Sequence, residues 1–199
     1  MDHRLLFMMT MGACTLGMEA LAIDLTPRYV TTYAEGIAVR RPYFFHGDRK
    51  YALRVGSDVE LLPGDHAAIF NFKGFPRAVM LLRPSPIKAS VPFDTTNLVA
   101  YREAAARFLE EGAIKPALVS EDTDVLPVNR WRSQRMTFDY EFAGMRTRAC
   151  IIFLNLHPAE QIIVQIRADR ADFNAVSTRA LSIMRRWHEV TPDSETGEN

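Results

Sequence analysis

The stretch from Arg135 to Leu156 leaves this chain the fewest conformational choices. From Arg135 to Phe142 the even positions Met136, Phe138, Tyr140 and Phe142 are apolar, and the odd positions Arg135, Thr137, Asp139 and Glu141 are not. A period of two is the mark of a β-strand with one dry and one wet face. Ala143-Gly144 then turns the chain into a second strand, Arg146–Leu156. A two-residue loop sets Glu141 opposite Arg146, Asp139 opposite Arg148, and Phe138 opposite Ala149. A three-residue loop with Gly144 in a bulge moves the register by one and puts the arginines on the aromatic face. Charge matching favours the first register, although Ala143 is a poor residue for so tight a turn. Ala149–Leu154 is apolar at every position, so both faces need cover, and helices are expected on both sides of the sheet there.

The remaining elements arrange themselves around this hairpin. Residues 37–83 read as consecutive strands (Ile37–Phe45, Lys50–Val55, Ala67–Phe72, Ala78–Arg83) separated by turns rich in Gly, Pro and Asp. A loop with three prolines follows, from Pro84 to Asp94. Leu98, Tyr101, Ala105, Phe108 and Leu109 lie at helical spacing after the N-cap candidates Asp94–Asn97, with Gly112 placed as a C-terminal cap. Residues 113–130 are expected to be a long connection with a short strand near Ala117–Ser120. After the hairpin come a turn at His157–Glu160 and a third strand, Gln161–Arg167. A second helix, Asp172 to His188, carries the apolar stripe Phe173, Val176, Ala180, Ile183, Met184, Trp187. The fold class this predicts is α+β, an antiparallel β-sheet packed against two main helices. The expected partition is a signal segment (1–22), an N-terminal extension (23–36), a single α+β domain (37–189) and a disordered tail (190–199).

The N-terminus points to export. Met1–Arg4 carries one basic residue, Leu5–Met18 contains no charge, and Ala20-Leu21-Ala22 has the small-x-small form a signal peptidase cleaves after. The apolar run is shorter than the roughly 20 residues that span a bilayer, and no transmembrane helix is expected in the mature chain. Met11-Gly12-Ala13-Cys14 offers an alternative, lipidation at Cys14, which would anchor the protein to a membrane. The expected location is periplasmic or secreted, with the lipoprotein form as the alternative. Cleavage after Ala22 leaves Cys150 as the sole cysteine, unable to form an internal disulfide. Its apolar neighbours predict a buried, inert thiol.

The 24 basic and 24 acidic residues leave no field to draw nucleic acid, and none is expected as a partner. No Gly-x-Ser-x-Gly elbow, phosphate-binding glycine loop or His-Glu-x-x-His motif is present, so no catalytic residue, metal ligand or cofactor is assigned. His46-Gly47-Asp48 and Asp65-His66 are metal-ligating types at turns, but turns favour the same residues for conformational reasons. His188 is expected to end the second helix, complementing its dipole. Glu110-Glu111 reads as helix surface, and Arg40-Arg41 and Arg185-Arg186 as ordinary surface charge. The most distinctive segment is Arg130–Arg135, where Trp131, Arg132 and Arg135 have the composition of an interface hot spot. The competing reading folds Trp131 under the 113–130 connection.

A hairpin region, one helix, three long strands and a C-terminal helix opening at Asp169-x-x-Asp172-Phe173 together resemble the PsbP-like family over roughly residues 37–188. The resemblance is one of topology and transfers no functional residue. It implies an exported or lumenal accessory protein without catalytic residues. The function expected is that of a non-enzymatic accessory or binding protein of the cell envelope with a protein partner. A small-ligand or metal-ion binding protein is the second reading and a hydrolase the third.

Overall fold

A computed structural model describes residues 23–34, 36–126, 131–157 and 160–190. Residues 1–22, where the sequence reading places a signal segment or a lipidated Cys14, and residues 191–199 lie outside the described residues. Among the described residues eleven strands and two helices follow in the order β1 (Asp24–Ala34), β2 (Ile37–His46), β3 (Arg49–Ala52), β4 (Val59–Gly64), β5 (Ala67–Phe72), β6 (Val79–Pro84), α1 (Leu98–Ala106), β7 (Ile114–Thr123), β8 (Ser133–Phe142), β9 (Met145–His157), β10 (Glu160–Asp169), α2 (Phe173–Met184) and β11 (His188–Val190). They build two antiparallel sheets, one of seven strands ordered β4-β5-β6-β10-β9-β8-β7 and one of four ordered β1-β2-β3-β11. The α+β class holds, but strands dominate and the second sheet is a layer the sequence reading did not anticipate. Among the described residues no helix is long and apolar enough to cross a membrane.

The large sheet is covered on both faces, as the continuous apolar run of β9 requires. Ala149, Ile151 and Phe153 join Met136, Phe138 and Tyr140 in a core beneath α1, which contributes Tyr101, Ala104 and Ala105. Cys150, Ile152 and Leu154 face the other way, into a core shared with Phe173, Val176 and Ala180 of α2 and with Phe44 and Tyr51 of the small sheet. Burial pushes the Cys150 thiol up to about 12.

The β8–β9 hairpin takes the two-residue turn. Glu141 pairs with Arg146, Asp139 with Arg148 and Phe138 with Ala149. Ala143 (φ +50) and Gly144 (φ +75) both occupy the left-handed region, the requirement of a type I′ turn whose twist matches that of the strands. Arg148 clasps Asp139 through Nε (2.5 Å) and Nη2 (2.8 Å).

Four expectations need correction. The N-terminal extension is strand β1; Ile23, Leu25 and Pro27 alternate inward, but Pro27 interrupts the pattern at a register shift between Asp24 and Arg28. The connection after α1 contains a ten-residue edge strand, β7. Its period-two signal is broken by two register shifts and by Lys115 at φ +53; bulges, Pro116 and a lysine also guard the open edge against pairing with other chains. Helix α1 stops at Ala106, and Arg107, Phe108 and Leu109 tighten to bonds with the residue three before. Finally, α2 ends at Met184. Trp187 is buried as expected, but beyond the helix, stacked on Phe44 with ring centroids 5.0 Å apart. His188 opens β11 opposite Ala52 rather than completing a helix, with Nδ1 2.9 Å from the Arg186 carbonyl.

Candidate functional site

The small sheet gathers arginines from three distant parts of the sequence around one cleft. Arg40 and Arg41 lie on β2, Arg54 in the segment leading from β3 to β4, and Arg186 between α2 and β11. With Tyr29, Pro42, Leu53, Val55, Val59 and Leu61 they enclose about 450 Å³. Leu53, Val59 and Leu61 are buried and give the cleft an apolar floor. Tyr29 closes one side: its hydroxyl donates to the Leu61 carbonyl at 2.8 Å, and the Arg40 guanidinium stacks 4.0 Å from its ring centroid. Burial raises the Tyr29 phenol, against the opposing influence of Arg40, so the group remains a neutral donor. Arg54 and Arg186 also border an adjoining hollow with His188.

Many of the described arginines are held by carboxylates. Arg102 pairs with Glu121 at 2.7 Å and Arg148 with Asp139 at 2.5 Å. Among the described residues Arg40 and Arg186 form no ion pair. A planar guanidinium presents a fork of donors matched to carboxylate and phosphate oxygens. Above an apolar floor, such cations hold an anionic group while its organic part is desolvated. In the sequence this cleft shows only as two Arg-Arg pairs, which read there as surface charge.

The residues singled out from sequence are placed as follows. Trp131 is half-buried and packs edge-on against Tyr51, with centroids 6.4 Å apart. Arg132 bonds Asp124 at 2.8 Å and Arg135 bonds Asp122 at 2.7 Å. Arg130 lies outside the described residues. The carboxylates of the 113–130 connection therefore serve as counter-ions to this segment.

His46 and His66 are each matched to a different carboxylate. His46 Nε2 is 3.2 Å from Glu160 Oε1, a contact joining the two sheets, while its buried Nδ1 has no hydrogen-bond partner. His66 is 88% exposed, 3.7 Å from Asp65. No group of three metal-ligating side chains occurs among the described residues.

Glu110, read as helix surface, is instead drawn over the sheet because α1 stops short of it. Its carboxylate accepts from the Tyr140 hydroxyl and from Arg167 Nη1, anchoring the turn after α1.

No family model and no curated protein matches the sequence. Solved structures are similar at low identity. One is LpqN of Mycobacterium tuberculosis, described as involved in cell envelope biogenesis (10% identity, 83% of this chain and 92% of that chain, TM-score 0.48). A second is PA94 of Pseudomonas aeruginosa, a protein of unknown function (11%, 83% and 97%, TM-score 0.45). A third is the PsbP of Synechocystis sp. PCC 6803, or CyanoP (11%, 90% and 99%, TM-score 0.39). The chain is similar to PsbP.

Proposed function

We propose that this protein is an exported, non-enzymatic accessory protein of the cell envelope that binds its partner through an anionic group held in the arginine cleft. The observation that carries the reading is the convergence of Arg40, Arg41, Arg54 and Arg186 over the floor of Leu53, Val59 and Leu61. These side chains supply charge and apolar surface, which suit binding. The N-terminal apolar segment supports export, to the periplasm or beyond with cleavage after Ala22, or to a membrane with lipidation at Cys14.

The test is affinity capture from envelope extracts, with bound lipid and protein both identified, comparing wild type with R40E/R186E. The expected result is a component released by salt and lost from the double variant, whose thermal unfolding stays unchanged because both side chains are exposed. Equal capture by the two proteins sinks the reading. Loss through R135E alone would instead assign binding to the surface of Trp131, Arg132 and Arg135. The mass of the mature N-terminus decides between the two export forms. A small-ligand reading is favoured by the volume of the cleft, which falls in the range of about 300–1,000 Å³ usual for small-molecule sites; competition by soluble phosphate or carboxylate esters tests it.

A further inference from the structure

The arginine cleft lies where the two sheets meet, and this orders its chemistry by depth. Tyr29 of β1, in the small sheet, donates its hydroxyl to the Leu61 carbonyl of β4, the outermost strand of the large one. Leu53, Val59 and Leu61 belong to the core that the two sheets share, so the cleft floor is the margin of that core. Arg40, Arg54 and Arg186 are exposed and stand at the mouth. Among the described residues no carboxylate lines the cleft. Glu60 is exposed between the buried Val59 and Leu61, an alternation that puts it on the other face of β4. Asp58 is paired with Arg179 at 3.5 Å.

Depth, volume and donors together describe the occupant. A bare anion gains nothing from an apolar floor, and a neutral apolar molecule covers the cations without supplying a counter-charge. A molecule with both characters satisfies floor and mouth at once, its apolar end entering first and its charge staying at the rim. The cleft encloses about 450 Å³; at the roughly 30 Å³ that one water takes in the liquid, this is room for about 15 non-hydrogen atoms. A single chain of about ten carbons with a small head fills that space, and the two long chains of a membrane lipid exceed it. The head follows from the donors. One guanidinium fork satisfies a carboxylate by itself. Here Arg40, Arg54 and Arg186 come from three separate elements, and Arg54 and Arg186 also border the adjoining hollow beside His188. Such a set matches the three free oxygens of a phosphate monoester.

We propose that the arginine cleft binds a single-chain amphiphile with a phosphate monoester head, its chain lying over Leu53, Val59 and Leu61 and its phosphate held by Arg40, Arg54 and Arg186. This rests on the cleft being an anion site and names the class of its ligand.

The test is calorimetric titration of the full chain with a series of straight-chain alkyl phosphates, each kept below its micelle concentration. Affinity should rise roughly threefold with each added methylene and level off at about ten carbons, where the cleft is full. Inorganic phosphate, decanoate and decyl maltoside each lack one feature of the ligand and should bind at least about tenfold more weakly than decyl phosphate. R40Q/R186Q should weaken decyl phosphate about tenfold, the range of two solvent-screened ion pairs. Both replaced side chains are exposed, so folding is kept, and any contribution of the N-terminal segment cancels between the two proteins. Affinity that ignores chain length, or climbs without a plateau as it would at a bilayer surface, overturns the proposal. So does decanoate binding as tightly as decyl phosphate. If chain length has no effect yet R40Q/R186Q loses inorganic phosphate or a component captured from the envelope, the amphiphile fails and the anion cleft stands. If R40Q/R186Q alters neither titration nor capture, both fail.

Discussion

The turn at Ala143-Gly144 allows a worked prediction, because its two residues share an unusual conformation for different reasons. Gly144 sits at φ +75, and a Cβ placed on it would meet nothing within 4 Å. The cost of Gly144→Ala is therefore conformational. Holding a non-glycine residue in the left-handed region costs about 1–2 kcal/mol, and the stiffer unfolded chain returns about 0.4–1 kcal/mol. The net loss should be about 0.5–1.5 kcal/mol. Ala143, at φ +50, already bears such a strain. Asparagine enters this region several-fold more readily, and Asn-Gly is a favoured pair for a type I′ turn, so Ala143→Asn should gain about 0.5 kcal/mol. Urea titration should show the midpoints moving in opposite directions with the slope unchanged. For a domain of this size each kcal/mol should move Tm by about 2–4 °C. If Ala143→Asn destabilises the protein or Gly144→Ala proves silent, the assigned turn is wrong. The pairing of Asp139 with Arg148 would then lose its geometric basis.

Three further outcomes follow from the same structure. Glu110→Ala removes the acceptor of both Tyr140 and Arg167 and should cost about 3 kcal/mol, while Glu110→Gln, which keeps an acceptor for Tyr140, should cost less; equal unfolding midpoints for wild type and both variants would contradict the anchoring role. The hydrogen bonds from Arg148, foremost, hold the Asp139 carboxyl below its ordinary value of 3.8. A depressed folded-state value means stabilisation present above pH 3.8 and lost as pH falls through that lower value, so the acid limb of stability should be shallower in Asp139→Asn. Cys150 should react with a thiol reagent only at the rate of unfolding, because burial removes both access and thiolate; fast labelling of the native protein would refute that placement.

Much of the large sheet was legible because its signals are local. Alternation from Met136 to Phe142, a glycine at the turn and facing opposite charges determine register between residues only a few positions apart. The unbroken apolar run Ala149–Leu154 could belong only to a strand covered on both sides. Those signals fail where a strand departs from regularity. Pro27 masked β1, the register shifts and Lys115 masked β7, and three residues were too few to announce β11. Reading α1 as far as Gly112 concealed the inward turn that makes Glu110 a half-buried anchor.

The sequence by itself determined the hairpin, the two-sided core and the inert cysteine, since each depends on neighbours along the chain. Only the tertiary structure decided where the cations go. Arg40, Arg54 and Arg186 have no local relation, and Trp131 has no local reason to lean on Tyr51. They meet because the small sheet closes by pairing β3 with β11, which returns the C-terminal end of α2 to the strands from which the chain began. Backbone pairing between distant segments costs chain entropy that is recovered through burial of Phe44, Tyr51 and Trp187. A cleft assembled in this way leaves no pattern along the sequence.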